Sequence, residues 1–335
     1  MFVFSSKLIV VSTALLYSLF SYGVFSLELT FPLKCDVGSD CYLQYYVDHD
    51  LGSNMQDYQC GIRSTPNQKG TSIRLADTNV MIKGFEVLAA SAGKVVTIQN
   101  NIPDQVLTEE AKQNLQGWEC GNNVVLDHGG GWQTRYCHMM RSSVIVTPGE
   151  SVSGGQALGL LGLSGFTMYP HLEFFVIRDD RFIDPFYPEE NIGECGQTDN
   201  SLWKNINSLP YHDSKVISSG FSDAVPTLNQ VVLGSHHPAF LSRSIKRLAF
   251  WIQVIGAQKD DIHSIIIYNQ RNQIIAESRN NVLGAGQSVG ILSIVHELKS
   301  GNLAPGLYKG SFVAERAVNG KKMIIEQHDN QIVLQ

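Results

Sequence analysis

The chain has 335 residues, 43% of them hydrophobic and 17% charged, with a formal net charge of -6. That length is too great for one compact core and suits two domains of ordinary globular composition. The acidic balance and the lack of a basic stripe argue against a nucleic-acid partner.

Residues 1–26 read as a signal peptide. Lys7 supplies the positive start, Leu8 to Phe20 the apolar run, and Val24-Phe25-Ser26 a cleavage site before Leu27. An uncleaved anchor is the competing reading. The apolar run is short and interrupted, and no later segment is long and apolar enough to span a bilayer. The expected location is therefore outside the cytoplasm, in a periplasm or the extracellular medium. Six cysteines follow, Cys35, Cys41, Cys60, Cys120, Cys137 and Cys195, an even number that suits disulfides in an exported chain. Cys120 and Cys137 flank a probable hairpin and are the expected pair. The remaining pairings stay open.

Residues 27–60 form a Cys- and Tyr-rich opening segment. From 61 to 190 short β runs alternate with Gly-rich turns. Val87–Ala90 and Lys94–Ile98 flank a turn, and Val124–His128 and Thr134–His138 flank Gly129-Gly130-Gly131. Thr108 to Gln116 is the one good helical stretch, read as a surface insertion. Residues 191–225 are polar and read as a linker. From 226 to 335 strand-like runs such as Leu248–Val254, Ser264–Tyr268 and Gly306–Val313 return at the spacing of a small β-sandwich, Ig-like in type. The adjacent His236-His237 pair would diverge on a strand, and a metal role is not expected of it.

The most informative stretch is Tyr169-Pro170-His171-Leu172-Glu173-Phe174. On a strand His171 and Glu173 share one face, and Leu172, Phe174 and Val176 share the other. Upstream lie Cys120-Gly121-Asn122-Asn123-Val124-Val125-Leu126-Asp127-His128-Gly129 and Tyr136-Cys137-His138-Met139. Between them and His171 come Pro148-Gly149-Glu150, Gly155-Gln156 and Gly162-Leu163-Ser164-Gly165, and Asp184-Pro185 follows. In this order and spacing the segment from Asp57 to Pro185 resembles the LytM/lysostaphin-type zinc metallopeptidases, which cut peptide cross-links in bacterial cell walls.

The resemblance implies a mainly β, antiparallel peptidase-like domain followed by the sandwich. It also implies a site. In the family a His-x-x-x-Asp motif gives two zinc ligands and a His-x-His motif gives a catalytic His and then the third ligand. Here Gln68 and Ser72 stand at the first two ligand positions and Glu173 at the third. His171 matches one catalytic histidine, and His138, in a Tyr-x-His segment, matches the other. Zinc prefers imidazole, thiolate and carboxylate, so losing two such ligands of three removes most of the roughly 10–16 kcal/mol a good site provides. No metal is expected, and His138 and His171 are then vestigial. Asp77, Asp127 or His128 as replacement ligands, or a site rebuilt from Glu173, His138 and His171, are the escapes. Trp132, Tyr136, Phe166 and Tyr169 are expected to line the groove.

The function these residues imply is an exported, catalytically inactive relative. It would bind peptidoglycan peptide or regulate a cell-wall hydrolase, an amidase for instance. The alternative is an active zinc metalloendopeptidase with an altered ligand set.

Overall fold

The computed structural model describes residues 27–107, 116–188, 193–196, 200–235, 237–282, 287–298 and 302–335. The signal-peptide reading and the helical reading of Thr108 to Gln116, apart from Gln116, lie outside these. The chain is mainly β. The main sheet runs in the order β1 (Tyr42–Tyr45), β2 (Thr71–Arg74), β9 (His171–Arg178), β6 (Trp132–Met139), β5 (Asn122–Gly129), β4 (Gly93–Gln99) and β7 (Ser151–Val152), with β10 (Arg181–Ile183) also on β9. Its ladders are antiparallel. A second layer pairs β3 (Glu86–Leu88) with β8 (Ala157–Leu160). Ile73, Val124, Leu126, Tyr136, Leu172, Phe174 and Val176 point from the main sheet into one core, which Val87 and Leu158 close from the second layer.

Two further sheets follow. One orders β11 (Lys215–Ser222), β13 (Arg247–Ala257) and β16 (Gln287–Glu297). The other orders β12 (Phe240–Leu241), β18 (Lys321–Leu334), β17 (Gly306–Val318), β14 (Ile262–Tyr268) and β15 (Ile274–Asn281). Phe221, Phe250, Ile252 and Val254 of the first share a buried core with Ile265, Ile267, Phe312 and Ile332 of the second. At Gly310 the two sheets come so close that a Cβ would lie 2.6 Å from the Phe250 ring, which is why that strand carries a glycine.

Residues 200–225, expected as part of a linker, are packed into the fold. Leu202, Trp203 and Leu209 are buried in the first core, Leu29 N–H donates to Leu202 O at 2.8 Å, and Lys215–Ser222 is β11 itself. A few large apolar side chains among many Ser, Asn and Asp suffice to bury the segment, and average composition hides them. Two short helical turns, α1 (Thr78–Met81) and α2 (Leu228–Val232), stand where the two halves meet. Asn79 Nδ2–H donates to Gly234 O at 2.7 Å there. Among the described residues no helix is long and apolar enough to cross a membrane.

Three disulfides are present: Cys35–Cys41, Cys60–Cys195 and the expected Cys120–Cys137. A buried arginine supplies another tie. Arg63 Nε–H donates to Gln44 O at 3.1 Å, and its two terminal nitrogens donate to the carbonyls of Leu43 and His212. Hydrogen bonds from a charged group are each worth about 1.5–3 kcal/mol, and removing the donor strands three carbonyls. Arg63→Met is therefore expected to cost at least about 3 kcal/mol in denaturant unfolding. A loss below about 1 kcal/mol would mean that water replaces the guanidinium freely.

Candidate functional site

A cleft of about 600 Å³ opens over the start of β2 and β9, on the face of the main sheet opposite its core. Alternation along β9 places His171, Glu173 and Phe175 in it and sends Leu172, Phe174 and Val176 inward. Ser72 lies directly opposite Glu173 across the β2–β9 ladder. Gln68, just before β2, reaches over both.

These three side chains satisfy one another. Gln68 Nε2–H donates to Glu173 Oε1 at 2.6 Å and to Gly70 O at 3.1 Å, while Thr65 Oγ1–H donates to Gln68 Oε1 at 2.9 Å. The Ser72 hydroxyl donates to Glu173 Oε2. The same oxygen faces His171 Nε2 at 3.3 Å. Gly70 is required beneath this arrangement, because a Cβ there would lie 2.6 Å from Glu173 Oε1. The donor set of one carboxylate, one amide and one hydroxyl does not fit zinc. The amide and hydroxyl already spend their hydrogens on the carboxylate, and among the described residues no group of three His, Cys, Asp or Glu side chains could hold a metal.

His138 reaches the cleft by a break in alternation. Tyr136 pairs with Phe174 and Cys137 with Glu173, so a regular strand would aim residue 138 at the core. Instead His138 has φ 63°, a left-handed conformation uncommon for a residue with a side chain. Its N–H donates to Cys120 O at 2.8 Å and its carbonyl accepts from Gly162 N–H at 3.0 Å. The Cys120–Cys137 bond fixes the adjoining residue. The His138 Nδ1–H donates to Ser164 O at 2.8 Å, which leaves Nε2 as an acceptor. Burial, and then the neighbouring His171, push its pKa down to about 3. The two imidazole rings lie 4.5 Å apart. His171 Nδ1–H donates to Tyr169 O at 3.1 Å beside the Thr167 hydroxyl at 3.0 Å.

Of the aromatics expected at the groove, Phe166 and Tyr169 line it and Phe166 is 47% exposed. Trp132 and Tyr136 do not. They share the core-facing parity of β6, and Tyr136 packs 5.4 Å from Phe174 while its hydroxyl accepts from Ala90 N–H at 2.8 Å. Tyr136 faces the core while His138 enters the cleft because the backbone turns over at His138. The replacement ligands are elsewhere as well. Asp77 caps α1 through Val80 N–H and pairs with His237 Nε2 at 3.2 Å. His128 bonds Ala92 O and Thr134 Oγ1, and Asp127 accepts from Gly129 N–H. His236 lies outside the described residues. Thr65, Thr167 and Met168 were not legible from the motifs. Thr65 and Thr167 sit three and four residues before the polar side chains they contact, the one local signal for them.

Residues 68–185 match Peptidase family M23. Peptidoglycan DD-endopeptidase ShyA of Vibrio cholerae is 44% identical over 57 residues, 17% of this chain and 13% of that protein. Peptidoglycan DD-endopeptidase ShyB of the same organism is 36% identical over 64 residues, 19% of this chain and 15% of that protein. The matches thus span about a seventh of those relatives' length. Among solved structures, the catalytic domain of the antimicrobial peptidase lysostaphin from Staphylococcus simulans is 23% identical. The alignment covers 42% of this chain and 85% of that one, with a TM-score of 0.27.

Proposed function

We propose that this chain, whose residues 68–185 match Peptidase family M23, is an exported relative of the LytM/lysostaphin type that holds cell-wall peptide without cutting it. The observation that carries the reading is the closed set of hydrogen bonds among Gln68, Ser72 and Glu173 at the three ligand positions. A site that had merely lost a ligand would leave buried polar atoms unpaired, at about 1–3 kcal/mol each. Here the replacements answer one another. The cleft volume falls in the range of small-ligand sites, and its lips differ. Phe166, Met168 and Leu107 form an apolar side, and Thr65, Asn67 and Lys69 a polar one. A peptide with alternating polar and aliphatic groups suits both. Three disulfides favour an oxidising compartment. In this reading the chain recruits or regulates a cell-wall hydrolase such as an amidase, and the sandwich is a spacer or contact module.

The second reading, a zinc peptidase with an altered ligand set, draws on the retained approach of His138 and His171. Metal content decides between them. The mature chain, purified under oxidising conditions, loaded with zinc and desalted, is expected to carry close to no metal per chain while still retaining soluble stem peptide on a column. One tightly held zinc, with peptide cleavage that His138→Ala abolishes, would establish the second reading. Neither metal nor peptide retention would leave the cleft without the proposed role.

A further inference from the structure

Beside the cleft, Arg74 lies directly opposite His171 across β2 and β9. It is 0% exposed, as is Gln44. Its guanidinium can be accounted for atom by atom. Nε–H donates to Leu75 O at 3.2 Å, Nη1–H donates to Gln44 Oε1 at 2.8 Å, and the face lies 4.2 Å from the centre of the Tyr169 ring. Among the described residues Nη2 has no partner, and neither has Nε2 of the same Gln44. Among the described residues no carboxylate pairs with this arginine. Asp77, the one acid acting on it from a distance, is spent on Val80 N–H and His237. Burial lowers the arginine pKa to about 10, so the group still carries its charge at neutral pH.

A buried charge is stable only when it is paired. Two unpartnered N–H donors on side chains that are themselves hydrogen-bonded to each other, one of them on a cation, suit a group with two acceptor oxygens and a negative charge. We infer that Arg74 Nη2 and Gln44 Nε2 bind a carboxylate behind Tyr169, at the margin of the cleft. Tyr169 lines the cleft, and its ring lies 4.7 Å from that of His171. Its ring thus touches both the cleft and the guanidinium. An incoming carboxylate displaces the ring and exchanges a cation–π contact for a charge-assisted pair of hydrogen bonds. This inference is independent of whether the cleft holds cell-wall peptide, since a small free carboxylate and the carboxyl end of a bound peptide present the same chemistry.

Acetate, N-acetylalanine and N-acetylalaninamide distinguish the sources. Each is titrated into the full mature chain at fixed ionic strength while the melting temperature is followed. Acetate and N-acetylalanine are expected to raise the midpoint, and the amide is not. Tighter action of N-acetylalanine by about tenfold assigns the site to a peptide end. Equal action assigns it to a small free anion. Arg74→Met, with the fold checked by circular dichroism, should abolish both responses. If that variant does not fold, Gln44→Leu keeps the cation, removes one donor and should weaken acetate about tenfold. An amide as effective as the acid, or a response unchanged in the variant that folds, overturns the inference.

Discussion

Gln68→His, Ser72→Asp and Glu173→His, introduced together, are expected to create a site that retains one zinc per chain, against the expectation of none for the native chain. The backbone already supplies the convergence. Residues 72 and 173 are opposed across the β2–β9 ladder, and the side chain of residue 68 lies within hydrogen-bond reach of both. Two imidazoles and a carboxylate are ligands that zinc prefers. At a free zinc concentration about a thousandfold above the dissociation constant, the variant gains about 4 kcal/mol of apparent stability. Metal analysis after desalting and the zinc dependence of the melting temperature both read the outcome. The single Glu173→His variant should not retain zinc, because Gln68 and Ser72 remain neutral. A folded triple variant that keeps no metal would show that the segment before β2 no longer places residue 68 as a ligand needs.

The second large effect is a loss of stability in acid that traces to His138. Its pKa in the folded chain is about 3, against about 6.5 for an unfolded histidine. Between these values the unfolded chain binds a proton that the folded chain refuses, so stability falls as pH falls through this window. From pH 7 to pH 5 this one residue accounts for about 2 kcal/mol. His128, His212, His263 and His328 are also held low, chiefly by burial, and add to the trend. Asp184, raised by burial, acts in the opposite sense. The comparison with His138→Asn isolates the contribution, since Asn tolerates a positive φ and does not titrate. The native chain should lose about 2 kcal/mol more than the variant over that interval. Parallel losses would mean that His138 takes up its proton without unfolding the chain.

Much of the site follows from simple periodicity. Alternation along 171–176 separates His171 and Glu173 from Leu172 and Phe174 without any knowledge of the fold. The spacing of cysteines around a hairpin pointed to the Cys120–Cys137 bond. Periodicity stops being informative where the backbone leaves its regular form. His138 sits at φ 63°, a turn that a strand pattern cannot register, and Trp132 and Tyr136, expected to line the groove, are buried in the core instead. Composition fails in a related way at 200–225, where Trp203 and Leu209 are buried in a stretch that is polar on average. Arg74 and Gln44 were invisible for a third reason. Nothing in a residue's type says that its neighbours will exclude both water and counter-charge.

The side chain of Arg63 has a consequence for what this molecule can join. β1 is the outermost strand of the main sheet, and an outer strand normally offers a row of free backbone groups on which another chain can extend the sheet. At Leu43 and Gln44 those carbonyls are already taken by the guanidinium. A visiting strand would have to compete with a buried cation for these two carbonyls. Extension of the sheet by another strand is thus disfavoured at these two positions.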